Sequence, residues 1–288
     1  MHPGMLGGVS DVRAILQNPA MQSLRVDRDV RVAEACVSFL RRASRRPVVL
    51  GLNGPQGCGK STLSARVVFA MNALGYRAIS CSIDDFYLTY DEQRALAKTH
   101  PGNRTMEYRG YPGTHDVALG TMTLDALVAG ASAHVPRYNK AAHEGRGDRA
   151  SRFEWLAVEG PLDAIIFEGW MLGFTPVAAV PSELEPANRA LAQYQDWADR
   201  LDAMMLLRAR ALEDIVHWRV DAERARREKG EPALSEQESR DYIERFIPAY
   251  ATWGPALWDA GVRGKGSALP ICFAETLGRD RLPTSDRS

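Results

Sequence analysis

Gly54-Pro55-Gln56-Gly57-Cys58-Gly59-Lys60-Ser61 decides the reading of this chain. The stretch fits the spacing G-x-x-x-x-G-K-[ST], which has a physical basis. Glycines let successive backbone N–H groups turn inward together and face phosphate oxygens. An apolar run at 48–52 stands immediately before the stretch and a helical pattern at 60–74 follows it. A strand therefore leads into the loop and the loop into a helix, whose unpaired N–H groups and dipole also favour an anion. The nucleotide-contacting set expected from this is Gly54, Pro55, Gln56, Gly57, Cys58, Gly59, Lys60, Ser61 and Thr62. Lys60 is expected to reach the β- and γ-phosphates, and the Ser61 hydroxyl to bind Mg²⁺. Cys58 reads as a small loop residue rather than a nucleophile. No N-K-x-D guanine-reading motif occurs, so ATP is the expected nucleotide.

Four further short apolar runs follow, at 78–83, 164–167, 203–207 and 269–273. Most lack strict alternation, as strands buried on both faces of a parallel sheet do. Helical patterns at 60–74, 212–228 and 235–247 separate most of them, and a helix over 27–46, with Val30, Ala33, Val37 and Leu40 on one stripe, precedes the first. The expectation is an α/β three-layer sandwich, a mostly parallel five-stranded sheet with helices on both faces. Ser235 and Glu238 form a capping box, and Pro232 ahead of them sets the end of the preceding helix near Gly230. Residues 1–46 are expected to form a helical segment packed on the core, and 47–288 the main domain. Its connections at 87–162 and 169–200 are longer than a minimal α/β unit needs, and such connections usually carry function. The tail 284–288 reads as frayed.

Composition narrows the class. Lys and Arg total 36 and Asp and Glu total 36, so the formal net charge is zero. A nucleic-acid surface usually shows a basic excess, and no such partner is expected. Cys36, Cys58, Cys81 and Cys272 are scattered without a C-x-x-C pair. Neither a zinc site nor a disulfide framework is expected, and a reducing cytosol fits. No stretch approaches the roughly 18 apolar residues of a membrane span, and residues 1–29 lack the apolar run of a signal peptide. The expected address is the cytoplasm, with no membrane partner.

A phosphate-binding loop of this kind works with a carboxylate near the magnesium, at the end of another core strand. Ala164-Ile165-Ile166-Phe167-Glu168-Gly169 ends an apolar run on an acid, which puts Glu168 at the carboxyl edge of the sheet, where ligands bind. Glu in place of the commoner Asp points to metal contact through water, or to a place near the acceptor; a solvated strand-end charge is the alternative. Ser82-Ile83-Asp84-Asp85-Phe86-Tyr87 supplies a second acidic site at a strand exit. Adjacent carboxylates there are poor for stability and useful for catalysis. Asp84 can accept the proton of an attacking hydroxyl and joins Ser61 and Glu168 as a metal candidate, while Asp85 is oriented differently. A turn or helix-cap pair of aspartates is the alternative.

These pieces together resemble the small-molecule kinase branch of P-loop proteins that includes uridine kinase, phosphoribulokinase and type I pantothenate kinase. That branch shares a strand ending in S-x-D-x-F-Y, whose first acid is the proposed base and falls on Asp84, and an apolar strand ending in E-G, here Glu168-Gly169. Within it the chain is similar to the D-glycerate 3-kinase family. The matching text is Asp84-Asp85-Phe86-Tyr87-Leu88-Thr89, Pro101-Gly102-Asn103, Arg109-Gly110 and Gly113-Thr114-His115-Asp116. It continues with Pro136-Arg137-Tyr138-Asn139-Lys140, Gly145-Arg146-Gly147-Asp148-Arg149 and Glu168-Gly169-Trp170-Met171-Leu172-Gly173-Phe174. The resemblance covers about 48–250 and departs from the plant pattern at Tyr111-Pro112. It implies Mg²⁺-dependent transfer of the γ-phosphoryl group of ATP to the 3-hydroxyl of D-glycerate.

Phosphoryl transfer is mostly positioning and positive charge. The stretch 136–152 holds Arg137, Lys140, Arg146, Arg149 and Arg152, with Gly145 and Gly147 as hinges. It reads as a lid insertion that closes over phosphates, with an ordinary basic surface loop as the alternative. A carboxylate-bearing acceptor needs a fixed cation, and the planar fork of arginine suits it. Arg109 is the candidate, with Tyr87, His115 and Asp116 as further acceptor-side residues. Arg208 and Arg210 either flank the nucleotide or lie on the surface, and Trp218 and Trp253 sit in apolar helical stripes as core residues do. Two rivals stay open at this point. One is the same chemistry on a nucleoside, a pantothenate-like acid or a sugar phosphate; the other is an ATP-binding regulatory protein without turnover.

Overall fold

The five apolar runs become the strands of one sheet in the computed structural model, which describes residues 11–17, 26–231 and 233–284. The strands are β1 Val48–Asn53, β2 Ala78–Ser82, β3 Ala164–Gly169, β4 Ala203–Ala209 and β5 Ile271–Leu277. Their order across the sheet is β5-β4-β1-β3-β2, and each pairing is parallel. All residues of β1 and β3 are buried. Central strands of such a sheet have no solvent face, which is why these runs are apolar almost throughout. Leu52 and Ser82 both lie opposite Glu168, on either side of β3. β1, β3 and β2 therefore end level, and the loops that leave them share one edge.

Three helices precede or follow β1: α1 Asp11–Leu16, α2 Val26–Arg42 and α3 Lys60–Ala73. α2 packs on α3, and α3 packs on β2 and β3. The helix expected to reach residue 46 stops at Arg42; beyond it Arg45 leaves the helical path to pair with Asp202, and Arg46 lies 3.7 Å from Asp163. A buried ion network joins α2 to the phosphate loop. Asp29 accepts from Arg28 at 2.9 Å and forms an ion pair with Arg66 of α3 at 2.8 Å, and Arg28 Nη1 donates to the Cys58 carbonyl at 3.3 Å. The first helices thus support the loop from behind.

The long connections contribute to the core as well as to the site. Trp197 is fully buried against Phe167 of β3 and Phe86, with ring centroids 5.4 and 5.9 Å away. Tyr111, Trp170 and Phe174 join Phe246 and Trp253 in a second aromatic cluster. Trp218 and Trp253 are both buried, as their stripes require. The pattern at 235–247 divides into two helices, Glu236–Glu244, capped by Ser235 and Glu238, and Ile247–Ala260. Pro232 and residues 285–288 lie outside the described residues. Among the described residues no helix is long and apolar enough to cross a membrane.

Asp29→Ala leaves Arg28 and Arg66 buried without their shared carboxylate, and a loss of about 3–5 kcal/mol is expected in urea denaturation. A loss below about 1 kcal/mol contradicts the supporting role of the network.

Candidate active site

The phosphate loop is held in shape from several sides. Gly57 and Gly59 have φ of 80° and 93°, a conformation open to glycine and strained for other residues. A Cβ on Gly57 would lie 2.8 Å from Trp218 Cβ and 2.9 Å from the Trp218 backbone carbon, so the helix that carries this buried tryptophan backs the loop directly. Arg281 donates to the carbonyls of Gly57 at 2.8 Å and Trp218 at 2.7 Å, and the Tyr250 hydroxyl accepts from Gln56 N–H at 3.0 Å. Asn53 Nδ2 ties the end of β1 to the carbonyls of Trp170 and Leu172, at 3.1 and 2.9 Å. Cys58 is buried, in keeping with a packing role. Lys60 Nζ donates to the Pro55 carbonyl at 3.2 Å and so lies across its own loop.

Glu168 is buried at the end of β3, where it accepts a 2.8 Å hydrogen bond from Ser61 Oγ at the start of α3. Alternation along the strand explains the direction. Phe167 packs on Trp197, and the next side chain turns to the opposite face. Mg²⁺ is usually bound by one or two protein oxygens, substrate phosphates and water. A hydroxyl and a carboxylate side by side at a helix N-terminus fit that requirement.

The two aspartates after β2 take different roles because of the turn that carries them. Ser82 caps the 3-10 turn Ile83–Phe86, accepting from Asp84 N–H at 3.2 Å. Asp85 turns back to accept from Ser82 N–H at 3.3 Å and from Arg137 at 3.2 Å. Asp84 turns outward and takes the Lys140 ammonium and the Tyr87 hydroxyl. Burial pushes the Asp84 carboxyl up, but Lys140 foremost, through its charge and its hydrogen bond, brings it down to about 2. Burial lifts Asp85 to about 6, against the pull of Arg137 and the Ser82 amide.

The acceptor-side candidates surround Asp84. Tyr87 stacks on His115 at 4.4 Å and meets Tyr138 edge-on at 5.2 Å. His115 Nδ1 lies 2.7 Å from the Tyr194 hydroxyl, and burial depresses the imidazole to about 3, so it is neutral. Asp116 caps the helix Val117–Val128 with one oxygen and pairs with Arg149 at 3.2 Å through the other. Arg149 also donates to the Tyr87 carbonyl at 3.0 Å.

Several sequence expectations change here. Arg109, offered as a fork for an acceptor carboxylate, donates instead to the carbonyls of Gly145 (2.7 Å), Arg146 and Lys140 (3.3 Å). Gly147, read as a hinge, is a packing contact, since a Cβ there would lie 2.5 Å from the Tyr138 ring and 2.8 Å from Arg109. The basic stretch is a docked loop with the paired strands Tyr138–Asn139 and Asp148–Arg149. Arg137, Lys140 and Arg149, expected to face phosphates, each pair with a carboxylate: Asp85, Asp84 and Asp116. Arg146 is not brought to this cluster; its guanidinium lies 4.1 Å over the Tyr108 ring. Arg208 lies 4.8 Å over Trp258. Supporting residues such as Arg28, Tyr194, Tyr250 and Arg281 carry no motif, and only their tertiary contacts reveal them.

A parallel sheet in this order, a G-x-x-x-x-G-K-S loop leaving its central strand and acids at the two adjacent strand exits define a P-loop kinase fold. No family model matches the chain. D-glycerate 3-kinase, chloroplastic, of Arabidopsis thaliana is 42% identical over 228 residues, which span 76% of this chain and about half (50%) of the plant protein. The uncharacterized kinase mug58 of Schizosaccharomyces pombe is 30% identical over 272 residues, covering 88% of this chain and 96% of that protein. The solved structure of D-glycerate 3-kinase from Cryptococcus neoformans superposes with a TM-score of 0.78 at 26% identity, covering 90% of this chain and 98% of its own. The chain belongs to the D-glycerate 3-kinase family of P-loop kinases.

Asp85 gives the site a pH signature. A carboxyl held near 6 when folded, against about 4 unfolded, keeps its proton longer in the native state. Its contribution to stability is complete below the unfolded value and falls by ~3 kcal/mol as pH rises from about 4 to about 6. Asp85→Asn is expected to remove that fall from denaturation profiles, and a variant that keeps the wild-type profile contradicts the assignment.

Proposed function

We propose that this chain is a kinase that transfers the γ-phosphoryl group of ATP to the 3-hydroxyl of D-glycerate, with Mg²⁺ as cofactor. The observation that carries the reading is Asp84, turned outward at the exit of β2, one strand away from the Ser61–Glu168 pair. A proton acceptor thus stands beside the residues suited to phosphate and metal. The names of the Arabidopsis and Cryptococcus relatives support glycerate as the acceptor.

In this mechanism the backbone N–H groups of Gly57 and of Gly59 to Thr62, together with the Lys60 ammonium, hold the phosphates in line with the acceptor. Ser61 and Glu168 would hold Mg²⁺, which would offset charge on the phosphate oxygens. The acceptor hydroxyl gives its proton to Asp84 as its oxygen bonds to the γ-phosphorus. The bond from that phosphorus to the bridging oxygen breaks, ADP leaves, and the proton passes from Asp84 to solvent. Tyr87 and His115 line the acceptor side. Arg109, Arg149 and Asp116 act indirectly by keeping the basic loop docked. Residues 47–288 form the catalytic unit in this reading, with 1–46 as its supporting segment, and the enzyme works in the cytoplasm on a small-molecule substrate.

A coupled ADP-release assay over D-glycerate, a nucleoside, pantothenate and a sugar phosphate tests the assignment. ADP release above the acceptor-free rate is expected with D-glycerate; release only with another acceptor overturns the substrate, and release with none overturns the kinase reading. Asp84→Asn is expected still to bind ATP and to lose turnover by at least ~10²-fold. Full turnover in that variant removes Asp84 from the base role.

A further inference from the structure

We propose that Lys140 is a counter-ion shared between the Asp84 carboxylate and the phosphates of the nucleotide, so that nucleotide binding uncovers Asp84 and the acceptor binds tightly only afterwards. The inference rests on the kinase reading above and adds an order of binding to it.

The placement of the ammonium is the first observation. Lys140 sits on Asp84, and it is also close enough to the Glu168 carboxylate to feel its charge. Its head group therefore lies on the base, at the exit of the strand next to the one that carries Glu168. With Lys140 in place, Asp84 already accepts from Lys140 and the Tyr87 hydroxyl. A carboxylate so engaged is a weak proton acceptor and offers an incoming hydroxyl little.

The second observation is that the loop backbone is tied down by hydrogen bonds while this side chain is largely exposed. Arg109 grips the carbonyls of Lys140, Gly145 and Arg146, and Asn139 Oδ1 accepts from Ala141 N–H at 3.0 Å. Arg149 fastens the loop's second strand to Asp116 and to the Tyr87 carbonyl. Gly147 is pressed against Tyr138 and Arg109. The Lys140 side chain itself is 58% exposed. A long flexible stem carrying a compact charge can change partners without moving the loop.

The third observation is the contrast with the neighbouring pairs. Asp85 and Asp116 also cap backbone N–H groups, of Ser82 and Leu119, so their arginines belong to fixed structure. Among the described residues the Asp84 side chain accepts from no backbone N–H in this way, and the cation on it is the Lys140 ammonium. A triphosphate carries several negative charges where Asp84 carries one, and the stronger field draws the ammonium away. Asp84 is then left to Tyr87 and the acceptor hydroxyl. Coupling between two binding sites is reciprocal and typically amounts to 5–150-fold.

Calorimetric titration of the full chain with D-glycerate, with and without Mg²⁺ and a non-hydrolysable β,γ-imido ATP analogue, tests this. At least about 5-fold tighter glycerate binding with the analogue is expected, with an equal tightening of the analogue by glycerate. In Lys140→Met the difference should vanish through tighter glycerate binding in the absence of analogue, while kcat falls. Lys140→Arg, which keeps the charge, should restore part of the difference if the cation rather than the loop fold is responsible. Equal glycerate affinities in the wild type, or a full difference retained in Lys140→Met of unchanged melting temperature, overturn the proposal. ADP release by the wild type is followed in parallel: no glycerate-dependent release refutes the kinase assignment, whereas release with equal affinities refutes only the role of Lys140.

Discussion

Three carboxylates at one edge of a parallel sheet set the terms for the rest of the site. β2 and β3 are neighbours that end level, so Asp84, Asp85 and Glu168 emerge close together. Like charges at such separations raise one another's proton affinity unless each has its own compensation. Each is met differently: Glu168 by the Ser61 hydroxyl, Asp85 by Arg137 and the Ser82 amide, and Asp84 by Lys140 and Tyr87. Two of these partners come from the docked basic loop, and Arg109 holds its backbone there. The loop belongs to the electrostatics of the strand exits as much as to any closing motion.

The parts legible in the sequence are those fixed by local pattern. The phosphate loop, the five strands and the acids at the strand ends follow from glycine spacing, apolar runs and the residue that terminates each run. The parts that were not legible depend on distant partners. The fork of Arg109 suits a carboxylate, yet carbonyl oxygens satisfy the same donors, and these lie 31 to 37 residues away. Gly147 looks like a hinge until the Tyr138 ring beside it is seen. The connection 169–200 reads as an insertion, but its Trp197 is fully buried beneath β3. Polar composition hides such a residue, because one tryptophan makes no periodic pattern.

The arrangement divides labour between rigid and movable charge. The phosphate loop, with Trp218, Arg281, Tyr250 and the Arg28–Asp29–Arg66 network around it, is preorganised. Preorganised donors cost no reorganisation during phosphoryl transfer, which is where electrostatic stabilisation is most effective. His115, neutral and bonded to Tyr194, offers a hydrogen bond and not a charge. Lys60 and Lys140, both resting on protein oxygens, are the cations beside the site built to change partners.

The account stands on transfer of the γ-phosphoryl group to the terminal hydroxyl of the acceptor, beside the phosphate end of the site. Phosphorus and carbon NMR of the product formed from ATP, Mg²⁺ and D-glycerate tests this most directly. A phosphomonoester on the 3-oxygen, formed in step with ADP, is the expected result. Phosphate on the 2-oxygen, or inorganic phosphate released at the same rate whether or not glycerate is present, would contradict it.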